Sequence, residues 1–526
     1  MFLRPGAAGR SRRTARLLIA AVCATATLGA APAGAAAMLG AAPVGAGGTV
    51  AVTQTVASGP ARSLGEPAAA QDSAVSVVAA TTFGSAGARV RAWTKPAGSG
   101  SWTVAGLVLP AGFGSSYDAS AAAGPDGPLL VVAGASPAGQ ACITNGSVAL
   151  ADVYSSGRLG PVRLLSDQRG TGRFDDRPAV AVGLDGTVWV AWSQGPDADA
   201  CQDVGTGDRV EVAVSHDGGR TFSSPVPMPA DGGDAAFGAR LAPLGGGRVA
   251  VSWTESHGPG DQSVLVSVLG PGGQVTRPQR VLAGDALPLV LPGASFYDFP
   301  AGDITALPGG ALVVAAPFWR YGRGVIDLAV GLPGGQWRSS VIAPPDGADL
   351  LLPALGATSS ASARLICAVH VRAADRLGYD WADLRISGQG AATAPAGLAQ
   401  LTPAPAGPGF FELGEELSVT GSPSGLLSSV VVAGRGRAVL QTESWTAPRP
   451  AIAASPSART PAPVPAPSRT GAGARGAQAG AARSGSVWAW LVIAAAAAIV
   501  VCAALVSART ARRRGTSGPR HRAGPG

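Results

Sequence analysis

Aspartates stand out in two segments, one that could bind a metal ion and one that could form a structural turn. One is a loop that bears Asp197, Asp199, Asp203 and Asp208. These carboxylates are enough for a calcium ion, although a solvated loop without a metal is the commoner arrangement. The other is the segment 215–222, Ser-His-Asp-Gly-Gly-Arg-Thr-Phe, in which the aspartate can accept backbone N–H bonds and the glycines permit positive φ. This second pattern predicts a tight turn between antiparallel strands. No other cofactor or metal is expected.

Several classes of active site are excluded by residue counts. Lys95 is the only lysine and is followed by Pro96, so a Gly-Lys-Ser/Thr phosphate loop and a Schiff-base site are both absent from the sequence. Outside the two ends of the chain the only histidines are His216, His257 and His370, and their spacing fits no zinc motif. There is also no Gly-x-Ser-x-Gly elbow of a serine hydrolase.

A repeat organises the middle of the chain. Apolar strand pairs separated by Asp-Gly or Gly-Gly turns recur at a spacing of roughly 56 to 60 residues. The units begin near residues 117, 174, 234, 294, 350 and 410. Four short strands fit each unit, and radial repetition of four-stranded sheets makes a β-propeller. The sequence therefore predicts an all-β fold with six or seven blades over residues 73–445. A pair of β-sandwiches is the alternative.

The two ends of the chain predict a location. Five arginines, an apolar run and small residues make residues 1–37 a signal peptide, and 38–72 is expected to be a flexible segment. Residues 446–486 are rich in Pro, Ala, Gly and Ser, as in a stalk. The uncharged segment 487–506 is long enough for one transmembrane helix, and the basic tail 507–526 should lie in the cytoplasm. We therefore expect a single-pass protein of the cell membrane, with its propeller outside.

The basic balance of the whole chain is misleading, because the basic residues concentrate at its ends. Residues 38–445 contain 24 basic and 32 acidic residues, a formal charge of −8. Nucleic-acid binding depends on neutralising phosphates, so nucleic acid is not an expected partner. The membrane is the expected partner, through the C-terminal helix.

Cysteines are few. Cys142 and Cys201 occupy the same position in adjacent repeats, in a compartment that we expect to be oxidising. We predict a disulfide between them. Cys367 lies in an apolar run and is expected to be a buried strand thiol without a chemical role.

The turn resembles an Asp box. Its residues Ser215, Asp217, Gly219, Thr221 and Phe222, together with DRPAVAVGLDGTVWVAWS at 176–193, look like the sialidase-type Asp-box propellers, also called BNR-repeat proteins. The resemblance covers about residues 73–445, with one intact box. Asp boxes also occur in propellers without sialidase activity, so the resemblance concerns fold more than function.

The resemblance implies a specific set of catalytic groups. A sialidase would need three arginines on the substrate carboxylate, a Tyr–Glu pair and an Asp acid/base. The nearest match to the family's Arg-Ile-Pro motif is Arg177-Pro178, which lacks the isoleucine. The candidates for these roles are Arg177, Asp175, Asp176, Glu255, Tyr297, Asp298, Arg320 and Tyr321. The alternative is structural, because charged residues at strand starts often bind the backbone of the next blade.

Two functions remain open. The favoured one is a non-catalytic, surface-tethered propeller that binds a glycan or a cell-surface protein. It follows from the decayed copies of the box and the missing Arg-Ile-Pro pattern. The alternative is a membrane-anchored exo-α-sialidase-like glycoside hydrolase.

Overall fold

The structure is a computed structural model that describes residues 51–446, with short interruptions. The interruptions are residues 61–62, 86, 125–127, 139–144, 197–208, 234, 259, 295, 298–300, 333–335, 388–391, 394–398, 406–410, 413–416, 423–424 and 435–436. The predicted signal peptide, most of the stalk, the transmembrane segment 487–506 and the tail lie outside the described residues. Within the described part of the chain, no helix is long and apolar enough to cross a bilayer.

The strands form seven sheets of the same design, arranged in chain order. The chain begins with β1 (Ala51–Pro60). Blade 1 contains β2 (Leu64–Gln71), β3 (Val75–Gly84), β4 (Gly87–Pro96) and β5 (Thr103–Leu107). Blade 2 contains β6 (Phe113–Ala123), β7 (Leu129–Pro137), β8 (Ser147–Val153) and β9 (Arg163–Leu164). Blade 3 contains β10 (Arg173–Val182), β11 (Val188–Pro196), β12 (Arg209–Ser215) and β13 (Val226–Pro227).

The remaining blades follow the same order. Blade 4 contains β14 (Ala235–Gly245), β15 (Arg248–Ser256), β16 (Asp261–Leu269) and β17 (Gln279–Asp285). After the short β18 (Phe296–Tyr297), blade 5 contains β19 (Asp303–Ala306), β20 (Leu312–Arg320), β21 (Arg323–Gly331) and β22 (Trp337–Ile342). Blade 6 contains β23 (Ala348–Ser359), β24 (Ser362–Val371), a 3-10 turn (Arg372–Ala374), β25 (Arg376–Ile386), β26 (Ala392–Thr393) and β27 (Ala399–Pro405). After β28 (Phe411–Glu412), which pairs with β18, blade 7 contains β29 (Ser418–Ser422), β30 (Gly425–Gly434) and β31 (Arg437–Thr446).

These sheets make a seven-bladed β-propeller, so the predicted all-β class is confirmed and the blade count is seven. In each blade the first strand is innermost. We call the face on which the innermost strands begin the entry face, and the face on which they end the exit face. Because neighbouring strands are antiparallel, the turns between third and fourth strands lie on the exit face.

The N-terminal strand closes the ring. β1 is the fourth strand of blade 7, where Ala51 pairs with Trp445 and Pro60 pairs with Arg437. The expectation that 38–72 is flexible is therefore wrong for residues 51–60 and 64–71, which are strands, and the propeller begins before residue 73. The partner of β1 lies at the other end of the domain, so no local pattern reveals the pairing. Both ends of the propeller chain lie on the exit face.

Apolar strands buried on both faces hold the blades together. In β11, Val188, Val190 and Trp192 pack against blade 2, while Trp189 and Ala191 pack against blade 4. A hydrophobic cluster of this kind fills the space between every pair of adjacent blades, including blades 7 and 1. Burying one such Val or Leu stabilises the fold by about 1.5–3 kcal/mol. A single blade therefore leaves both its faces uncovered unless it has two neighbours.

The innermost strands share a bulge. Five of them shift register at the same point, where the backbone adopts positive φ: Glu66 (49°), Asp118 (49°), Arg177 (52°), Gly238 (65°) and Leu352 (44°). Such a bulge bends the strand and redirects one side chain. Non-glycine residues are costly in this conformation, so the packing of neighbouring blades must hold them there.

Candidate functional site

The start of β10 brings three of the predicted candidates together at the entry face. Asp175, Asp176 and Arg177 are consecutive, and the bulge follows Asp176. Arg177 is only 2% exposed, and its Nε lies 3.8 Å from Oδ2 of Asp176. Its guanidinium lies over the ring of Phe237 in blade 4, 5.6 Å from the centroid. The position thus supplies a permanent positive charge that is buried between blades 3 and 4.

Asp175 is fully buried and its carboxylate is bonded on both oxygens. Oδ2 accepts a hydrogen bond from Nε2 of Gln168 at 2.8 Å, and Oδ1 accepts one from Nε2 of Gln194 at 2.8 Å. Burial raises the pKa of Asp175, and the hydrogen bonds oppose this rise. The side chain therefore fastens the end of blade 2 to blade 3 and does not face solvent.

A second carboxylate belongs to the same network. Glu211 forms an ion pair with Arg209, whose Nε lies 2.6 Å from Oε1, and Arg209 also donates to Oε1 of Gln194 at 2.8 Å. Burial raises the pKa of Glu211, against the charge of Arg209. Neither residue was predicted from the sequence, because their closeness to Asp175 depends on the β10–β11–β12 register.

Tyr117 is a further group that was not predicted. It precedes the bulge of blade 2, as Asp176 precedes the bulge of blade 3. Its hydroxyl lies 3.3 Å from Oγ of Ser136. Burial and the negative charge of Asp176 raise the pKa of Tyr117 well above its usual value. The signal in the sequence was the repeat itself, because residue 117 is a unit start. A neutral phenol here can exchange hydrogen bonds but is poorly suited to act as a nucleophile.

Glu255 accepts hydrogen bonds from nearby groups of the chain, including the backbone of the loop that precedes blade 4. It is 1% exposed and accepts hydrogen bonds from N–H of Asp231 at 3.1 Å, from N–H of Gly233 at 3.1 Å and from Nε1 of Trp253 at 3.1 Å. Through the two backbone N–H groups, Glu255 holds the loop that leads into blade 4. The carboxylate is therefore occupied by the chain.

The remaining candidates lie toward blade 5. Arg320 forms an ion pair with Asp327 in its own hairpin and donates to the carbonyl of Ala283 at 3.4 Å. Tyr321 is at the tip of that hairpin and is 96% exposed. The backbone of Tyr297 is in β18, and Asp298 lies outside the described residues. Blade 5 therefore holds Arg320 in place with a carboxylate, as Asp176 accompanies Arg177 in blade 3.

The Asp-box segment forms a turn on the opposite, exit face. Asp217 accepts hydrogen bonds from N–H of Thr221 at 2.9 Å, from Oγ1 of Thr221 at 2.6 Å and from Oγ of Ser215 at 2.7 Å. The hydrogen bonds from Thr221 hold the pKa of Asp217 well below its ordinary value. Gly218 and Gly219 have φ of 74° and 85°. Phe222 packs, partly buried, against the cluster between blades 2 and 3.

The same turn is fastened to the preceding blade. Nη2 of Arg163 donates to the carbonyl of Gly219 at 2.5 Å, and Arg163 also binds Asp152 through two hydrogen bonds. The Asp-Gly hairpin of blade 3 acts similarly, since Oδ2 of Asp185 accepts from N–H of Gly247 in blade 4 at 3.0 Å. Both turns connect adjacent blades. They lie on the exit face, whereas Arg177 lies near the entry face.

Two predicted sites lie outside the described residues. These are the calcium loop with Asp197, Asp199, Asp203 and Asp208, and the cysteine pair Cys142 and Cys201. Among the residues that are described, no three His, Cys, Asp or Glu side chains are grouped as metal ligands. Cys367 is a buried free thiol, as expected, and burial raises its pKa.

A cavity of about 710 Å³ occupies the central channel toward the exit face. Its wall consists of the later halves of the innermost strands and is mostly Ala, Val, Leu and Gly. One position recurs in the innermost strands of all seven blades. It pairs with an equivalent residue of the second strand in each blade, as Ser120 pairs with Val132 and Ala179 pairs with Ala191. It is held by Ala68, Ser120, Ala179, Arg240, Asp303, Ala354 and Ser418.

Comparisons with known proteins give similarity of fold only. No family model matches the chain, and no curated protein matches it in sequence. Among solved structures, an ulvan lyase of a polysaccharide lyase family is 12% identical with a TM-score of 0.46, covering 73% of this chain and 94% of that one. The phage phi92 endosialidase is 8% identical with a TM-score of 0.45, covering 79% and 72%. The Trypanosoma rangeli sialidase is 11% identical with a TM-score of 0.38, covering 73% and 55%. These values carry no argument about activity.

Proposed function

We propose that this protein is a non-catalytic binding module, a β-propeller that is tethered outside the cell and binds a glycan or a cell-surface protein. The observation that carries the proposal is the use of the candidate catalytic groups within the fold. Asp175 binds two glutamine side chains, Glu255 binds two backbone N–H groups and an indole, and Arg320 binds Asp327. A catalytic acid or base must reach the substrate, whereas the carboxylates of Asp175 and Glu255 accept hydrogen bonds from neighbouring segments of the chain. Arg320 is paired within its own hairpin.

The tether in this proposal is the predicted C-terminal transmembrane helix. Residues 1–37 direct export, 487–506 span the membrane, and 507–526 remain in the cytoplasm. Protease added to intact cells should remove the propeller and leave the C-terminal tail protected. A tail that is digested in intact cells would contradict this topology.

Binding is tested with the purified full-length protein in detergent, applied to a glycan array and to a panel of cell-surface proteins from the same organism. We expect saturable binding to at least one class. A full-length protein that melts cooperatively, and is therefore folded, but binds no glycan and no surface protein would overturn the proposal.

A sialidase-type hydrolase is the second candidate. It is favoured by one observation, that an arginine and a candidate acid/base, Arg177 and Asp176, lie side by side at the entry face. A fluorogenic sialoside distinguishes the two functions. Turnover by the wild type that is abolished in Arg177→Ala would establish the hydrolase, while a folded protein without turnover supports the binding module.

A further inference from the structure

At some blade junctions along the channel, a side chain of one innermost strand accepts a hydrogen bond from the backbone of the next. At other junctions it does not. At three junctions the recurring register position accepts a hydrogen bond from a backbone N–H of the next blade. Oγ of Ser120 accepts from Val180 at 3.2 Å, Oδ2 of Asp303 from Leu355 at 2.7 Å, and Oγ of Ser418 from Ala69 at 3.0 Å. The three donor residues are all buried, namely Ala69, Val180 and Leu355.

At three other junctions the register position is alanine, which has no acceptor. These are Ala68, Ala179 and Ala354. The equivalent N–H groups in the next blades belong to Ala121, Leu241 and Val419. Among the described side chains, none accepts a hydrogen bond from them, and all three residues are partly exposed where their counterparts are buried. Since Val180 points its N–H away from β11 toward Ser120, the shared register points these three N–H groups into the channel as well.

The cavity onto which these N–H groups open has the size and chemistry of a small-molecule pocket. Its volume of about 710 Å³ falls within the ordinary range for such pockets. The methyl and methylene groups of the wall can pack against an apolar ring face. Backbone donors and acceptors along an unpaired strand edge need partners that both accept and donate hydrogen bonds.

The charges in the same ring indicate a neutral ligand. Arg240 and Asp303 occupy the recurring position in adjacent blades 4 and 5, so a positive and a negative group lie at one level of the channel. A cation at this level would meet Arg240, and an anion would meet Asp303. Asp72, the third charged residue of the wall, accepts hydrogen bonds from the N–H groups of Ala74 and Val75 in its own turn. A polyhydroxylated molecule satisfies N–H donors and carbonyl acceptors without carrying a charge.

We infer that the channel binds a neutral sugar of one or two residues, entering from the exit face, through the N–H groups of Ala121, Leu241 and Val419. The inference rests on the proposed binding function and assigns its glycan to the channel. The cluster around Arg177 lies at the other end of the innermost strands and plays no part in it.

Serine substitutions test this site by giving each N–H an acceptor within the protein. Ala68→Ser, Ala179→Ser and Ala354→Ser copy the arrangement that Ser120 and Ser418 already make, so the fold should melt at the wild-type temperature or higher. Calorimetry on the full-length protein uses glucose, galactose, N-acetylglucosamine, maltose, cellobiose and lactose. We expect one of them to bind, and each serine to weaken it about five- to tenfold, since each removes one hydrogen bond.

Two controls make the result specific. His216→Ala, on the exposed turn, should leave the affinity unchanged, and Ser120→Ala should not weaken binding because it frees another N–H. Binding that survives the triple serine variant would overturn the channel site and leave the proposed binding function standing. If none of the six sugars binds, the channel site is overturned, while protein binding in the surface-protein panel would still support the proposed function.

Discussion

The carboxylate of Asp303 joins blade 5 to blade 6 by accepting a hydrogen bond from the backbone N–H of Leu355, at 2.7 Å. A bond to a charged acceptor is worth about 1.5–3 kcal/mol, and a neutral one about half as much. Asp303→Ala should therefore lower the free energy of unfolding in urea by about 2 kcal/mol. Ser120→Ala removes the neutral counterpart at the junction of blades 2 and 3, and should cost about 1 kcal/mol. Equal losses for the two variants would show that the charge of Asp303 contributes nothing.

The Asp-box turn should depend on its aspartate and not on the neighbouring histidine. Asp217 binds Thr221 and Ser215 through three hydrogen bonds, while His216 is exposed. We expect Asp217→Ala to lower the melting temperature clearly and His216→Ala to leave it within error. Differential scanning calorimetry on both variants measures this. A melting temperature that is unchanged in Asp217→Ala would mean that Arg163 alone holds the turn against blade 2.

The propeller fold could be predicted from the sequence because the patterns that indicate it are local and repeated. The apolar second strands, the Asp-Gly hairpins and the glycine turns each lie within one unit, so four innermost strands begin within a few residues of a predicted unit start. The innermost strands of blades 5 and 7 begin later, at Asp303 and Ser418, well after the predicted starts near 294 and 410. The pairing of β1 with β31 was not readable, because its partners, such as Ala51 and Trp445, come from opposite ends of the domain.

The sequence predicted which residue types occur at the candidate site but not what their side chains contact. The charged residues were expected at strand starts or ends, and Asp175 and Arg177 do lie at the start of β10. Whether such a carboxylate faces solvent or a neighbour depends on inter-blade contacts, such as those from Gln168 and Gln194, that no spacing reveals. The recurring channel position was missed because alanine and serine there carry no obvious chemistry in the sequence.

Stability should fall at acidic pH through Asp349, a buried carboxylate at the junction of blades 5 and 6. Burial alone would raise its pKa, but hydrogen bonds from Arg372 and His370 and from N–H of Gly324 outweigh burial and hold the pKa at about 2. A folded pKa below the unfolded one contributes stability at neutral pH, and this stability is lost as the pH falls from about 4 toward 2. Its size is on the order of 2 kcal/mol.

Urea unfolding between pH 6 and pH 2.5 measures this contribution. Asp349→Asn should be less stable than the wild type at pH 6 and should show a shallower loss below pH 4. The matched control is Asp346→Asn, which changes a fully exposed carboxylate nearby and should keep the wild-type slope. A slope in Asp349→Asn as steep as that of the wild type would contradict the assignment.

The cysteine pair gives a prediction that needs only mass spectrometry. Cys142 and Cys201 occupy equivalent positions of adjacent repeats, and a disulfide between them would close a long loop, worth about 4 kcal/mol in the chain-entropy estimate. Peptide mapping after alkylation in denaturant without reductant should find both unmodified and linked. Cys367 is the internal control, because burial raises the pKa of its thiol and shields it, so that it reacts only after denaturation. If Cys142 and Cys201 are alkylated as fully as Cys367 before any reductant is added, the disulfide does not exist.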